Sequence, residues 1–137
     1  MKLTTIARFF PLTLLVMALA ASCVTGPVVV PENLTPMELI QRGQEASHRN
    51  RFAHALQYYE ALLLRFPNDR DSVCAAEYEI AFIHYKQKRY DLARTEFNNL
   101  LARYNSPDAA LLPPQFRILS NVVLARIDEI EAGARRR

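Results

Sequence analysis

Apolar and small residues recur every three or four positions over residues 36–66, and again over 71–104, with one signature in both stretches. That spacing is the helical period, since residues three and four apart share a face. A first helix is expected over 36–48, with Leu39, Ile40, Gly43 and Ala46–Ser47 on its packed side. Thr35, Pro36 and Glu38 form a capping-box start for it. Asn50 punctuates the turn. A second helix follows over 51–66, with Ala55, Leu56, Tyr59, Leu62 and Leu63 at helical spacing, and Phe66-Pro67-Asn68-Asp69 stops it.

A third helix is expected over 71–88, capped by Asp71 or Ser72. It has two stripes: Val73, Ala76, Ile80, Ala81, Ile83 and His84, then Tyr78, Phe82 and Tyr85. A helix apolar on two sides needs two neighbours. A fourth runs over 90–104 with Ala93, Phe97, Leu100 and Leu101 inward, and Asn105-Ser106-Pro107-Asp108 breaks it. After a loop over 109–112, Pro113-Pro114 opens a fifth helix, with Phe116, Leu119, Val123, Ile127 and Ile130 as its stripe. Gly133 is expected to end it, leaving residues 133–137 as a frayed basic tail. The fold class is therefore all-α, with a helical domain over 35–132.

The N-terminus follows other rules. Lys2 and Arg8 precede an apolar run over residues 9–21, and Ala20, Ala21 and Ser22 lead directly to Cys23. This reads as a secretory signal over 1–22, too short for a comfortable span of about 20 apolar residues. Small residues before a cysteine resemble a bacterial lipobox, in which the leader is cleaved and Cys23 becomes the lipid anchor. An ordinary signal with Cys23 free, or paired with Cys74, is the alternative. Residues 23–34 contain Pro27 and Pro31 and read as an extended tether, enough to lift the domain clear of lipid headgroups.

Composition narrows the chemistry. The 137 residues carry a net charge of +3, and Lys2 and Arg8 account for two of those charges. That balance, with no recognisable motif, argues against a nucleic-acid binder. Among three glycines there is no phosphate loop. His48, His54 and His84 have no metal-motif partners, and Ser72 and Ser120 lack glycine elbows. Glu77 and Glu79 point to different sides of one helix and read as a solvated face. No cofactor, metal or catalytic residue is expected.

The two stretches repeat at a constant offset, which takes Gly43 to Ala81, Ala55 to Ala93, Tyr59 to Phe97 and Leu62 to Leu100. Helix pairs recurring at a period of this size mean stacked units, each unable to bury its face alone. Arg49 and Arg51 occupy the turn of the first unit, and Lys88 and Arg89 that of the second. One repeat apart, they are expected on one edge, as a basic ridge facing anionic headgroups or an acidic partner, or simply solvent.

The pattern resembles the tetratricopeptide repeat, whose small, aromatic and proline positions are matched by Gly43, Ala55, Tyr59, Leu62 and Pro67, then by Ala81, Ala93, Phe97 and Leu100. The runs over residues 58–69 and 81–105 are similar to the first two repeats of the BamD family of outer-membrane protein-assembly lipoproteins. That family has five repeats, where two and a long helix stand here. The resemblance implies a scaffold with a BamA-type barrel assembly protein as partner. Val24, where an inner-membrane retention signal would have aspartate, favours the outer membrane. A periplasmic envelope or cell-division adaptor of the CpoB type, or a tetratricopeptide lipoprotein with no assembly role, are the alternatives. In tetratricopeptide arrays the first helix of each pair lines the concave face. That would place Ile40, Gln44, Ser47 and His48, then Tyr78, Phe82, Tyr85 and Lys86, against a partner. Packing of Tyr78 and Phe82 beneath the fifth helix is the alternative. Because arrays usually need about three units, a homodimer or an obligate complex is also expected.

Overall fold

Thr35 begins the first helix as its sequence requires. Its side chain accepts from the Glu38 amide at 3.3 Å, and the Glu38 carboxylate accepts from the Thr35 amide at 2.9 Å. The computed structural model describes residues 26 and 28–136, which form five α-helices and no strand. They are α1 (Pro36–His48), α2 (Phe52–Arg65), α3 (Arg70–Lys86), α4 (Tyr90–Arg103) and α5 (Pro114–Arg135). A 3-10 turn, Ala109–Leu111, fills what the sequence suggested was a plain loop. The signal segment, Cys23 and Val24 lie outside the described residues.

Helices α1 and α2 form one hairpin, and α3 and α4 a second. Helix α3 also packs on α1 and α2, and α5 stands against α3 and α4 in the same way. As its two stripes require, α3 has neighbours on both sides. Val73, Ala76 and Ile83 join Leu39, Ala55, Tyr59 and Leu62 in one core cluster. Ala81 joins Ala93, Phe97, Val123 and Ile127 in another, and Cys74 packs with Leu100, Tyr104 and Leu112 in a third.

The repeat extends to the turns. Asn50 and Lys88, which occupy equivalent positions in the two units, both take the left-handed conformation, at φ 56° and 60°. The amides of Arg49, Asn50 and Arg51 donate to Glu45, Ser47 and Ala46 carbonyls; those of Gln87, Lys88 and Arg89 donate to Ile83, Tyr85 and His84. Every donor and acceptor is displaced by the same offset that takes Gly43 to Ala81.

Several expectations need correction. Helix α3 begins earlier than expected because Asp69, not Asp71 or Ser72, caps it: the Ser72 amide donates to its carboxylate at 3.2 Å. It ends at Lys86, since a left-handed Lys88 cannot continue a helix. Gly133 does not end α5, which continues to Arg135. Arg136 donates to the Ala132 carbonyl at 3.2 Å, satisfying one of the acceptors that a helix end leaves open. On α5 the buried stripe includes Ser120, not Leu119, which is 42% exposed. Glu77 is not on a solvated face; it accepts from Arg103 at 2.9 Å and is half-buried.

The largest correction concerns the tether. Residues 28–34 do not stand free but lie along α2 as a strap. The Val28 amide donates to Gln57 Oε1 at 2.8 Å, and Arg65 donates to the Pro31 and Val30 carbonyls at 2.6 and 3.2 Å. Leu34 is buried with Leu39. These are the residues before the N-cap and four beyond it, which form a hydrophobic staple.

Candidate functional site

The expected partner-facing residues come together around α3, but most already have work within the fold. Tyr78 stacks on Phe82 with ring centroids 5.8 Å apart, and lies 5.7 Å from Phe97 and 5.6 Å from Phe116. Phe82 stacks on Tyr85 at 5.6 Å, and Tyr85 meets Tyr90 at 6.0 Å. These separations suit offset and tilted aromatic pairs. The ladder runs between the second hairpin and α5, half-buried along its length.

Lys86 is held rather than free. Its ammonium donates to Ser47 Oγ at 2.9 Å and lies over the rings of Phe52 and Phe82, 5.6 and 5.4 Å from their centroids. Ser47 is itself buried, and Lys86 thereby ties α3 to the first hairpin. Gln44 is exposed and donates to Glu79 at 3.1 Å, a second tie between α1 and α3. Ile40 is half-buried against the first cluster and His48 is exposed. Sequence periodicity could place these residues on α1 and α3. It could not show that Phe52, at the start of α2, would share the Lys86 cation.

The four ridge residues, Arg49, Arg51, Lys88 and Arg89, are all exposed, and none makes an ion pair among the described residues. Their turns adjoin: Gln87 lines one small depression with Asn50, Arg51 and His54. Beside them is a groove of about 440 Å³ between α1, α2 and the strap, with Glu38, Arg42, Glu45, Arg49, Arg51 and His54 in its walls. Glu38's carboxyl is held below its ordinary value, chiefly by the Thr35 amide. The groove is a mixed-charge surface, and the strap that walls it was not legible as such from sequence.

Among the described residues no group of three or more histidine, cysteine or acidic side chains could hold a metal ion, and no helix is long and apolar enough to cross a membrane. Cys74 is fully buried, and burial pushes its thiol above the ordinary value. His84 is buried with Nδ1 unpartnered. Burial raises Glu77's carboxyl above its ordinary value, although Arg103 opposes the shift.

No family model matches the chain, and no solved structure matches it. Over 98 residues, 72% of this chain, it is 37% identical to an uncharacterized protein of Treponema pallidum (strain Nichols). The matched region covers 39% of that relative, so the chain spans well under half the relative's length.

Proposed function

We infer that this protein is a membrane-anchored protein–protein interaction scaffold built from tetratricopeptide-like hairpins, serving as a BamD-like component of outer-membrane β-barrel protein assembly. The observation that carries the reading is the turn geometry repeated from one hairpin to the next, together with α5 standing to the second hairpin as α3 stands to the first. Both features support a stacked array, whose usual work is to present an extended binding surface. Its mechanism is binding without chemistry. The side chains that could have suggested chemistry are engaged in packing: Glu77 with Arg103, Glu79 with Gln44, and His84 in the interior. A lipid on Cys23 would confine the domain to a surface and raise its effective concentration toward a membrane partner.

Affinity purification of the full chain in mild detergent tests this. Co-purification of a BamA-type barrel assembly protein is the expected result. Recovery of cell-wall synthases instead would move the protein to the CpoB-type reading, and recovery of neither would overturn both. Gln44→Ala is the milder surface probe, since it removes only an exposed hydrogen bond to Glu79, whereas Lys86→Ala removes the half-buried tie to Ser47 and the contacts with Phe52 and Phe82. Metabolic labelling with palmitate, lost in Cys23→Ala, tests the anchor separately.

A further inference from the structure

On the reading that the chain is held to a membrane through its N-terminus, we propose that the end of the bundle formed by the two interhelical turns is a docking face for anionic lipid headgroups. Arg49, Arg51, Lys88 and Arg89 are exposed there without ion-pair partners among the described residues. The C-terminal end of α5 lies at the same end of the bundle, because Arg94 near the start of α4 bonds Asp128 at 2.8 Å and Glu131 at 3.1 Å. It brings Arg136 and Arg135, both exposed, the latter 3.8 Å from Glu131.

The carboxylates nearby are largely engaged. Asp128 and Glu131 are taken by Arg94, and Glu129 by Arg126 at 2.7 Å, leaving Glu45 and Asp91 as the others close to the turns. The opposite end has the reverse balance: Glu32, Glu38, Asp69, Asp71, Glu77 and Asp108 stand there against Arg65, Arg70, Arg103 and Arg117. A molecule charged in this way turns its basic end toward an anionic surface.

The strap supplies an independent reason. It runs along α2 from Gly26, whose carbonyl accepts from His54 Nε2 at 3.1 Å, to Pro31 at Arg65. The chain therefore reaches the described structure beside Arg51 and His54, at the basic end. Only residues 24 and 25 separate Cys23 from Gly26, and the apolar run of residues 9–21 lies just before it. Three residue steps reach on the order of 10 Å at most. Whichever of these two features enters the bilayer, the turns are brought to the headgroups, and anchor and cations act as two weak signals that add.

The test is flotation of the full chain with vesicles of phosphatidylcholine alone or with added phosphatidylglycerol, at low and high salt. The variant R49Q/R51Q/K88N/R89Q removes the four cations; asparagine at 88 keeps a residue that tolerates the left-handed turn. Each cation near an anionic surface is worth roughly a fivefold change. The parent is expected to prefer phosphatidylglycerol vesicles by about a hundredfold or more at low salt, and the variant to lose most of that preference, since only Arg135 and Arg136 remain at that end. R70Q/R117Q, remote from the turns, should keep it. Binding to phosphatidylcholine alone reads the anchor, so its absence would count against the anchor and leave the lipid-composition difference readable. A parent with no preference, a four-site variant that retains it, or an equal loss in R70Q/R117Q overturns the proposal and returns the cations to an acidic protein or to solvent. Thermal unfolding by circular dichroism confirms that each variant is folded before it is compared.

Discussion

In the first hairpin Gly43 faces the ring of Tyr59; at the equivalent place in the second, Ala81 shares a cluster with Phe97. All four are fully buried or nearly so. A Cβ on Gly43 would lie 2.5 Å from Tyr59 Cζ, so the first hairpin needs glycine where the second accepts alanine. The contrast recurs at Leu39 and Glu77. Leu39 is fully buried with the strap residues Leu34 and Val30, whereas Glu77 pairs with Arg103. Arg103 in turn corresponds to Arg65, which holds the strap carbonyls. One backbone thus closes the same end of a hairpin with a docked chain segment in one copy and an ion pair in the other. The repeat constrains shape more tightly than chemistry.

The largest break in that comparison should come at Leu39 and Glu77. Leu39→Ala is expected to lower stability by about 2–5 kcal/mol, the cost of a cavity in a packed core. Glu77→Leu should leave stability within about 1 kcal/mol of the parent, since it removes a carboxylate oxygen buried without a partner, and the Arg103 left behind is exposed enough to be hydrated. Burial raises the Glu77 carboxyl, so its ionisation weakens the fold above the unfolded carboxylate value, and that loss disappears as pH falls. Urea titrations of the two variants check this; equal losses at both sites would remove the contrast.

Next in size is the small residue against the ring. Gly43→Ala should cost about 1–3 kcal/mol, because the buried Tyr59 ring has nowhere to move. Adding Tyr59→Phe should recover part of it, by making the pair like Ala81 and Phe97. A double-mutant cycle with no coupling would show that the two positions do not meet as described. Tyr59 offers a second reading: its hydroxyl is buried without a partner, and burial, aided by Glu79, pushes its ionisation well above the ordinary tyrosine value. A group protonated in the fold but ionised in the unfolded chain contributes stability below pH about 10 that is lost as pH rises. Tyr59→Phe should therefore lie within about 1 kcal/mol of the parent at pH 7 and show a shallower alkaline loss. Tyr104, pushed up to about 12 by burial, remains to account for some of the rest.

These contrasts also mark what the sequence could and could not reveal. The hairpins were legible because Ala55, Tyr59 and Leu62 recur as Ala93, Phe97 and Leu100, and burial of apolar residues leaves a periodic trace. The two-sided character of α3 was legible for the same reason. The strap was not, because Gln57 and Arg65 bond main-chain groups far away along the chain, and a peptide group looks alike in any sequence. Leu34 and Leu39, at the staple positions, were the one available signal. On α5 the apolar positions are wide enough for two neighbouring stripes. Choosing Leu119 over Ser120 misplaced one position, because a buried serine gives no hydrophobic signal. For the candidate site, sequence located α1, α3 and the turns, but not the contacts by which Lys86 is already held.

The turns give the smallest effect and the sharpest test of equivalence. Asn50 and Lys88 hold the same left-handed conformation with the same hydrogen bonds, but asparagine adopts it far more readily than lysine. Lys88→Asn should stabilise by about 0.5 kcal/mol and Asn50→Lys should destabilise by about the same amount, since strain of this kind is typically on the order of 1 kcal/mol. Both side chains are exposed, so packing contributes little to either change. Paired thermal melts measure the two shifts. Opposite shifts of similar size would mean that the second hairpin carries a strained residue at a turn the first makes without strain. If Lys88→Asn were instead destabilising, the lysine side chain would have a stabilising role at that turn beyond its backbone, and the two turns would be alike in geometry only.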